Sequence, residues 1–283
     1  MRAVSLTTKD VARLLKVSEA TVKRWADSGA LQLEKTVGGH RRFTVDSVAQ
    51  LRRERGLTRA PMRGKTAPRQ KPLKPLTSPE TLLQSILAGD ETGVAAKLIN
   101  SYLHQHALTA IFDMTITEAM HELGELWFKG DITVAHEHLA TQVLISALQK
   151  LRAVIEPADP NGRTAICCAI EGDLHEVPVH LVEIVLESQG WATVNLGPNT
   201  PLSALRDMVV QKRVQLVCIS ARSIADLHRA TTEYALLHKS AARIQAQLVI
   251  GGEAFRDEAV RRRFPAEFYA RDFSEFGKFL SLP

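Results

Sequence analysis

The chain has 283 residues, more than one hydrophobic core ordinarily organises, so two domains or three small ones are expected. With 45% hydrophobic and 24% charged residues, no apolar run of about 18 residues and no apolar signal core in MRAVSLTTKD, the composition argues against disorder, a membrane span or export, and points to a cytoplasmic protein with no membrane partner. The net charge of +5 is uneven: residues 1–75 hold 18 Lys and Arg against 6 Asp and Glu, or +12, while the remainder holds 18 against 25, or −7, so a polyanion partner belongs to the N-terminal end.

In chain order, LTTKDVARLLK places Thr7 or Thr8 as the cap of a short helix with Val11, Leu14 and Leu15 inward. Ser18 caps a second helix, EATVKRWADSG, with Val22, Trp25 and Ala26 inward and Gly29 as its stop. The pair reads as a helix-turn-helix. A strand, a Gly38-Gly39 hairpin tip, a returning strand through Phe43 and a third helix opened by Asp46 follow. Residues 1–55 resemble the MerR superfamily, in whose small winged-helix branch the phrase GGHRRF recurs as a wing. The physical reason agrees. Gly38 and Gly39 let a hairpin approach phosphates, and His40, Arg41 and Arg42 offer donors to them. Thr21, Lys23 and Arg24 project from the second helix, where direct readout of a double-stranded DNA operator is expected.

Residues 56–78 contain Pro61, Pro68, Pro72 and Pro75, six Lys or Arg and no acid, a composition that reads as a basic linker. Residues 79–157 have helical patterning throughout, in four segments separated by Gly89, His106 and Gly130-Asp131, which predicts a four-helix bundle. From 158 to 283, five apolar strands alternate with amphipathic helices, predicting a flavodoxin-like doubly wound parallel sheet. The fold class is therefore multidomain, α and α/β. Cys167, Cys168 and Cys218 all fall in apolar runs that read as buried strands, so neither a disulfide nor a zinc site is expected.

In such a sheet ligands sit outside the carboxyl ends of the strands, and the loop after the first strand reads Glu171-Gly172-Asp173-Leu174-His175. Asp two residues before His can set the imidazole tautomer of a metal ligand, although an ordinary surface loop carries the same residues. With the phrases GWATVNLGPNTP, Ser220 and Gly251-Gly252 downstream, this region looks like the cobalamin-binding domain family, whose loop is Asp-x-His-x-x-Gly. The resemblance implies His175 as the lower axial cobalt ligand, Asp173 as its partner, and Ser220, Gly251 and Gly252 lining the channel for the nucleotide tail. A Cβ at either glycine would fill space that the tail requires. Trp127 followed after nine residues by Glu137-His138 resembles the cobalamin-dependent photoreceptor repressors of the CarH/LitR type. That likeness implies a bundle capping the upper cobalamin face, with Trp127 stacked on the upper ligand, adenosyl above all, and Glu137 and His138 as inward polar neighbours.

Three positions depart from these patterns. Pro178 replaces the loop glycine and can begin the next helix. Arg222 replaces the leucine of Ser-x-Leu, and a guanidinium in a tail channel needs a phosphate or carboxylate. Phe128 stands where light-sensing members carry the histidine that captures cobalt after photolysis. The leading expectation is a regulator, with no enzymatic activity, whose homo-oligomeric state (dimer or tetramer) and operator affinity are controlled by adenosylcobalamin. Phe128 and Arg222 motivate an alternative in which the same module takes another tetrapyrrole or acts as a ligand-free interaction domain. A corrinoid carrier for methyl transfer is the third reading, opposed by GGHRRF and the +12 head.

Overall fold

A computed structural model describes residues 5–36, 39–55, 75–156 and 158–282. Gly38 of the wing and residues 56–74 of the expected linker lie outside the described residues. The chain divides into two compact units, Met1–Glu156 and Pro157–Pro283.

The first unit begins with β1 (Ser5–Thr7), α1 (Thr8–Leu14) and α2 (Glu19–Asp27), then β2 (Glu34–Lys35), β3 (Arg41–Thr44) and α3 (Val45–Glu54). Thr7 and Ser18 cap the first two helices, Thr7 through a reciprocal box with Asp10. Val22, Trp25 and Ala26 are buried as their spacing predicts, and Gly29 has φ +75° at the end of α2. Two expectations are corrected. Thr44, not Asp46, caps α3: its hydroxyl accepts from the N–H of Ser47, and Asp46 lies in the first turn. The three-residue β1 was not anticipated; it pairs antiparallel with β3, with Leu6 opposite Phe43, giving sheet order β1-β3-β2.

The helical part contains α4 (Pro79–Leu87), α5 (Glu91–Leu103), α6 (Leu108–Ile111), a π-helical segment (Phe112–Thr117), α7 (Glu118–Lys129) and α8 (Val134–Val154). Its core includes Ile86, Leu98, Phe112, Ile116, Leu144 and Leu148. The third predicted helix is thus interrupted by π geometry, which shifts the phase of its apolar pattern. There Thr115 is buried, and its hydroxyl donates to the carbonyl of Thr77. Residues 75–78 therefore include part of the bundle's packing, with Ser78 capping α4, where the linker was expected to continue. The head packs on the bundle within this unit: the Arg52 guanidinium donates to the carbonyls of Ala153 (2.9 Å) and Val154 (3.3 Å) at the end of α8, and Lys16 pairs with Glu156 at 2.7 Å.

The second unit is β4 (Thr164–Ile170), α9 (Val177–Ser188), β5 (Ala192–Thr200), α10 (Leu202–Lys212), β6 (Leu216–Ser220), α11 (Leu227–Arg243), β7 (Gln247–Gly251), a short 3-10 turn, α12 (Glu258–Arg261), β8 (Phe268–Ala270) and α13 (Phe273–Leu280). All four strand pairings are parallel and the order is β5-β4-β6-β7-β8, the flavodoxin-like arrangement expected. Pro178 sits in the first turn of α9, where a missing N–H costs nothing. Cys167, Cys168 and Cys218 are buried and unbridged, and burial raises all three thiols, that of Cys168 to about 12.

Candidate cofactor site and nucleic-acid interface

The six residues 171–176 join β4 to α9 without regular structure, so hydrogen bonds alone fix their path. Asp173 donates its N–H to the carbonyl of Ile170, closing a turn in which Gly172 has φ +84°. The Asp173 side chain is only 1% exposed, yet each oxygen is satisfied: Oδ1 faces His175 Nδ1 at 2.7 Å and accepts the His175 N–H at 2.9 Å, while Oδ2 accepts the N–H of Arg222 at 2.6 Å. Burial pushes this carboxyl up, but the hydrogen bonds from the His175 ring and from the N–H groups of Arg222 and His175 outweigh it and hold it below the ordinary aspartate range. The His175 side chain is 53% exposed. With Nδ1 held by Asp173, Nε2 is the ring nitrogen left for a ligand.

Ser220 ends β6, paired with Ala169 on one side and Gly251 on the other. The two glycines have a reason within the fold itself. A Cβ at Gly252, whose φ is +103°, would collide with the carbonyl oxygen of Ala221, and one at Gly251 would lie 3.0 Å from that of Ala270. Their small size is already required by the approach of the protein's own backbone. Arg222 is exposed, so its guanidinium does not fill a channel, and its contribution to the loop comes from the main-chain N–H. Sequence reasoning missed this contact because it depends on no particular side chain. It also missed Asn199, which has φ +53° and bonds to the loop twice. An Asn between Pro198 and Thr200-Pro201 beyond an apolar strand was the available signal, since Asn tolerates left-handed backbone better than most residues.

The residues expected above the cofactor lie in the first unit. Trp127 is half exposed and Phe128 is 81% exposed near the end of α7, with Val134 and Leu139 exposed on the first turns of α8. Glu137 is partly buried, its carboxylate accepting from the Thr141 hydroxyl at 2.9 Å, and His138 is exposed with Nε2 3.7 Å from Glu137. The inward-facing Glu137-His138 pair is thereby corrected. These side chains form an apolar and polar surface at one end of two helices.

In the head, Lys23 and Arg24 are exposed on α2, while Thr21 is partly buried, its hydroxyl 3.0 Å from that of Ser18. Gly39 has φ +74°, its N–H donating to Thr36, and His40 is exposed beside it. Arg41 turns inward: it pairs with Asp27 at 2.8 Å and donates to the carbonyl of Lys23, tying the wing to α2. Arg42 is partly exposed on the central strand, opposite Thr7 and Glu34.

Residues 5–56 match the helix-turn-helix domain family and residues 79–152 the B12 binding domain family. The chain is 27% identical over 268 residues, 90% of its own length and 88% of the other, to the HTH-type transcriptional repressor CarA of Myxococcus xanthus. It is 21% identical over 167 residues, 58% of this chain and 78% of the other, to dimethylamine corrinoid protein 1 of Methanosarcina acetivorans. Among solved structures, the monomethylamine corrinoid protein of Methanosarcina barkeri superposes with a TM-score of 0.57 at 18% identity, covering 70% of this chain and 94% of that one, a likeness of fold.

The site's own chemistry fits a corrinoid. Among the described residues no group of three or more His, Cys, Asp or Glu is placed to hold a metal ion, so His175 offers a single nitrogen, the donor needed by a metal whose other ligands travel with it. No helix among the described residues is long and apolar enough to cross a membrane. The chain carries a helix-turn-helix domain followed by a B12 binding domain, and over 90% of its length it is similar to a transcriptional repressor.

Proposed function

We propose that the chain is a DNA-binding transcriptional repressor whose operator affinity is set by cobalamin. The observation that carries this reading is the half-exposed His175, locked through Nδ1 by the buried Asp173 at the carboxyl end of a parallel sheet, in a chain that begins with a basic helix-turn-helix. His175 Nε2 is assigned as the lower axial ligand, with Ser220, Gly251 and Gly252 beside the nucleotide tail. Trp127, Glu137 and His138 contact the upper ligand, and Phe128 borders it. When bound, the cobalamin supplies a cobalt centre whose upper ligand changes the surface it presents. The adenosyl form suits the broad face of Trp127 best.

On DNA, Lys23, Arg24 and Thr21 read the major groove while Gly38, Gly39, His40, Arg41 and Arg42 hold phosphates. Arg41 exchanges its Asp27 pairing for a phosphate on binding. Occupancy of the sensor alters homo-oligomeric state, dimer or tetramer, and linked heads gain affinity through effective concentration. The test is the visible spectrum of the full chain supplied with adenosylcobalamin or hydroxocobalamin, with gel filtration and operator binding before and after illumination. A retained corrinoid that changes assembly and operator affinity is expected. No retained corrinoid and no effect on assembly overturns the reading. The exposed apolar set of Trp127, Phe128, Val134 and Leu139 favours one second reading, a ligand-free interaction surface, for which His175→Gln leaves regulation unchanged.

A further inference from the structure

Asn199 stands at the end of β5, on the strand beside β4, and makes two hydrogen bonds to the loop that carries His175. Its Oδ1 accepts the N–H of Gly172 at 2.8 Å, and its own N–H donates to the carbonyl of Asp173 at 2.8 Å. One residue thus holds the peptide groups on either side of the Gly172–Asp173 peptide. From the opposite side of β4, at the end of β6, the N–H of Arg222 holds Asp173 Oδ2. Position 172 also suits glycine on that flank, since with φ +84° an added Cβ would lie 3.0 Å from that of Ala225.

The loop is therefore suspended between the two strands that flank β4, and its only grip from the β5 side among these bonds is Asn199. The left-handed backbone of Asn199, at φ +53°, turns both its N–H and its side-chain oxygen toward the loop, a conformation that Asn, Asp and Gly accept and most residues resist. His175 follows Asp173 by two residues with no regular structure between, so the position of Asp173 sets where the imidazole is carried. Asp173 holds Nδ1 of the ring and is held in turn by Asn199, by Arg222 and by the carbonyl of Ile170.

We infer that Asn199 is a positioning residue for the cobalt ligand His175, acting through the Gly172–Asp173 turn; this rests on the assignment of His175 proposed above. An exposed Asn that merely finishes a strand would affect folding alone, so the test must read ligation. Asn199→Gly keeps the backbone freedom and deletes the acceptor, while Asn199→Asp keeps both. Each full-length variant, the wild type and His175→Gln are titrated with hydroxocobalamin by absorbance. The reduced Co(II) forms, prepared with 15N-histidine-labelled protein, are then examined by EPR for the doublet splitting of a protein imidazole nitrogen, distinct from the triplet of the cofactor's own 14N base, and the ligand-free proteins are melted in parallel.

Asn199→Gly is expected to bind about 10-fold more weakly, within the range for loss of a group that orients a metal ligand, and to give a mixture of nitrogen-split and unsplit EPR signals. Its ligand-free melting stays close to wild type. Asn199→Asp retains the single nitrogen-split signal. Wild-type affinity with a full nitrogen splitting in Asn199→Gly overturns the positioning role while leaving His175 as ligand. Equal defects in the Gly and Asp variants also overturn it, because the acceptor would then be irrelevant. A wild type without nitrogen splitting, or a His175→Gln variant that keeps it, overturns the assignment of His175 and this inference together.

Discussion

The two groups of residues assigned to the cofactor are built on opposite principles. At the carboxyl end of β4, Asp173 is 2% exposed and spends both carboxylate oxygens and its main-chain N–H and carbonyl on hydrogen bonds, so that one exposed imidazole is aimed in advance. At the ends of α7 and α8, Trp127, Phe128, Val134 and Leu139 are exposed apolar groups on otherwise ordinary helices, with few polar ties beyond Glu137 to Thr141 and His136 to Thr133. The first arrangement prepays the ordering of a single directional bond. The second holds unspent apolar surface that stabilises only whatever comes to cover it. A metal ligand tolerates little misplacement, whereas a stacking face tolerates variation in its guest, and the two geometries suit the two tasks proposed for them.

The largest expected effect breaks the first side of that contrast. His175→Gln removes the axial nitrogen and should weaken cobalamin binding by more than about 100-fold, beyond the usual loss from an outer partner, with no imidazole splitting in the reduced Co(II) form. Asp173→Asn should come next, at about 10- to 100-fold by the same precedent, because an amide cannot both accept from His175 and carry the charge that favours the outward Nε2. This carboxyl also leaves a signature in acid. Its pKa is lower in the folded chain than in the unfolded one, so its stabilisation is complete above about pH 4, the ordinary aspartate value, and is lost as pH falls through the folded value. The unfolding midpoint of the wild type should fall across that window with a steeper slope than that of Asp173→Asn. Parallel acid profiles would remove the claim.

Much of this was legible from sequence where one residue type performs one task. Alternating apolar strands and helices gave the sheet order, and Asp173, Leu174 and His175 marked the loop by spacing. What escaped was carried by main chain or by phase. The N–H of Arg222 would serve Asp173 whatever side chain stood there, and the guanidinium drew attention to the wrong atoms. The π segment Phe112–Thr117 breaks the 3.6-residue period inside an otherwise helical run, so the inward or outward sense of a fixed wheel does not carry across it to Trp127. Glu137 and His138 looked inward by analogy, yet α8 buries Ala140, Leu144, Ala147 and Leu148 instead. Short β1 was invisible because three residues, Ser5–Thr7, gain strand character only by pairing with β3.

On the open side, Trp127→Ala should be milder for the ligand. A stacked ligand covers one face of the exposed half of the indole, roughly 55 Å², which is worth about 1.4 kcal/mol, or tenfold in affinity, on an area basis. Because only half of the side chain is buried, the ligand-free chain should lose about 2 kcal/mol of stability, roughly half the cost of removing a fully buried aromatic. Calorimetric titration with adenosylcobalamin and with a corrinoid bearing a small upper ligand separates the stacking role, since only the adenosyl form should lose affinity.

Phe128→His is the smallest perturbation and the sharpest test of the contrast, since Phe128 is 81% exposed beside Trp127. A surface exchange of this kind should leave thermal stability within about 0.5 kcal/mol of wild type. It also should leave dark binding unchanged, because phenylalanine offers the cobalt nothing that histidine removes. After illumination of the adenosylcobalamin-loaded protein the two should differ: the wild type has no imidazole at this position, and the variant adds one next to the stacking face. The visible spectrum after illumination should therefore shift towards nitrogen ligation in Phe128→His alone, and the variant should release its ligand more slowly than the wild type. Identical spectra and release rates would mean that the end of α7 does not face the upper ligand at all, and the division between an aimed nitrogen and a covering surface would then have to be redrawn around α8.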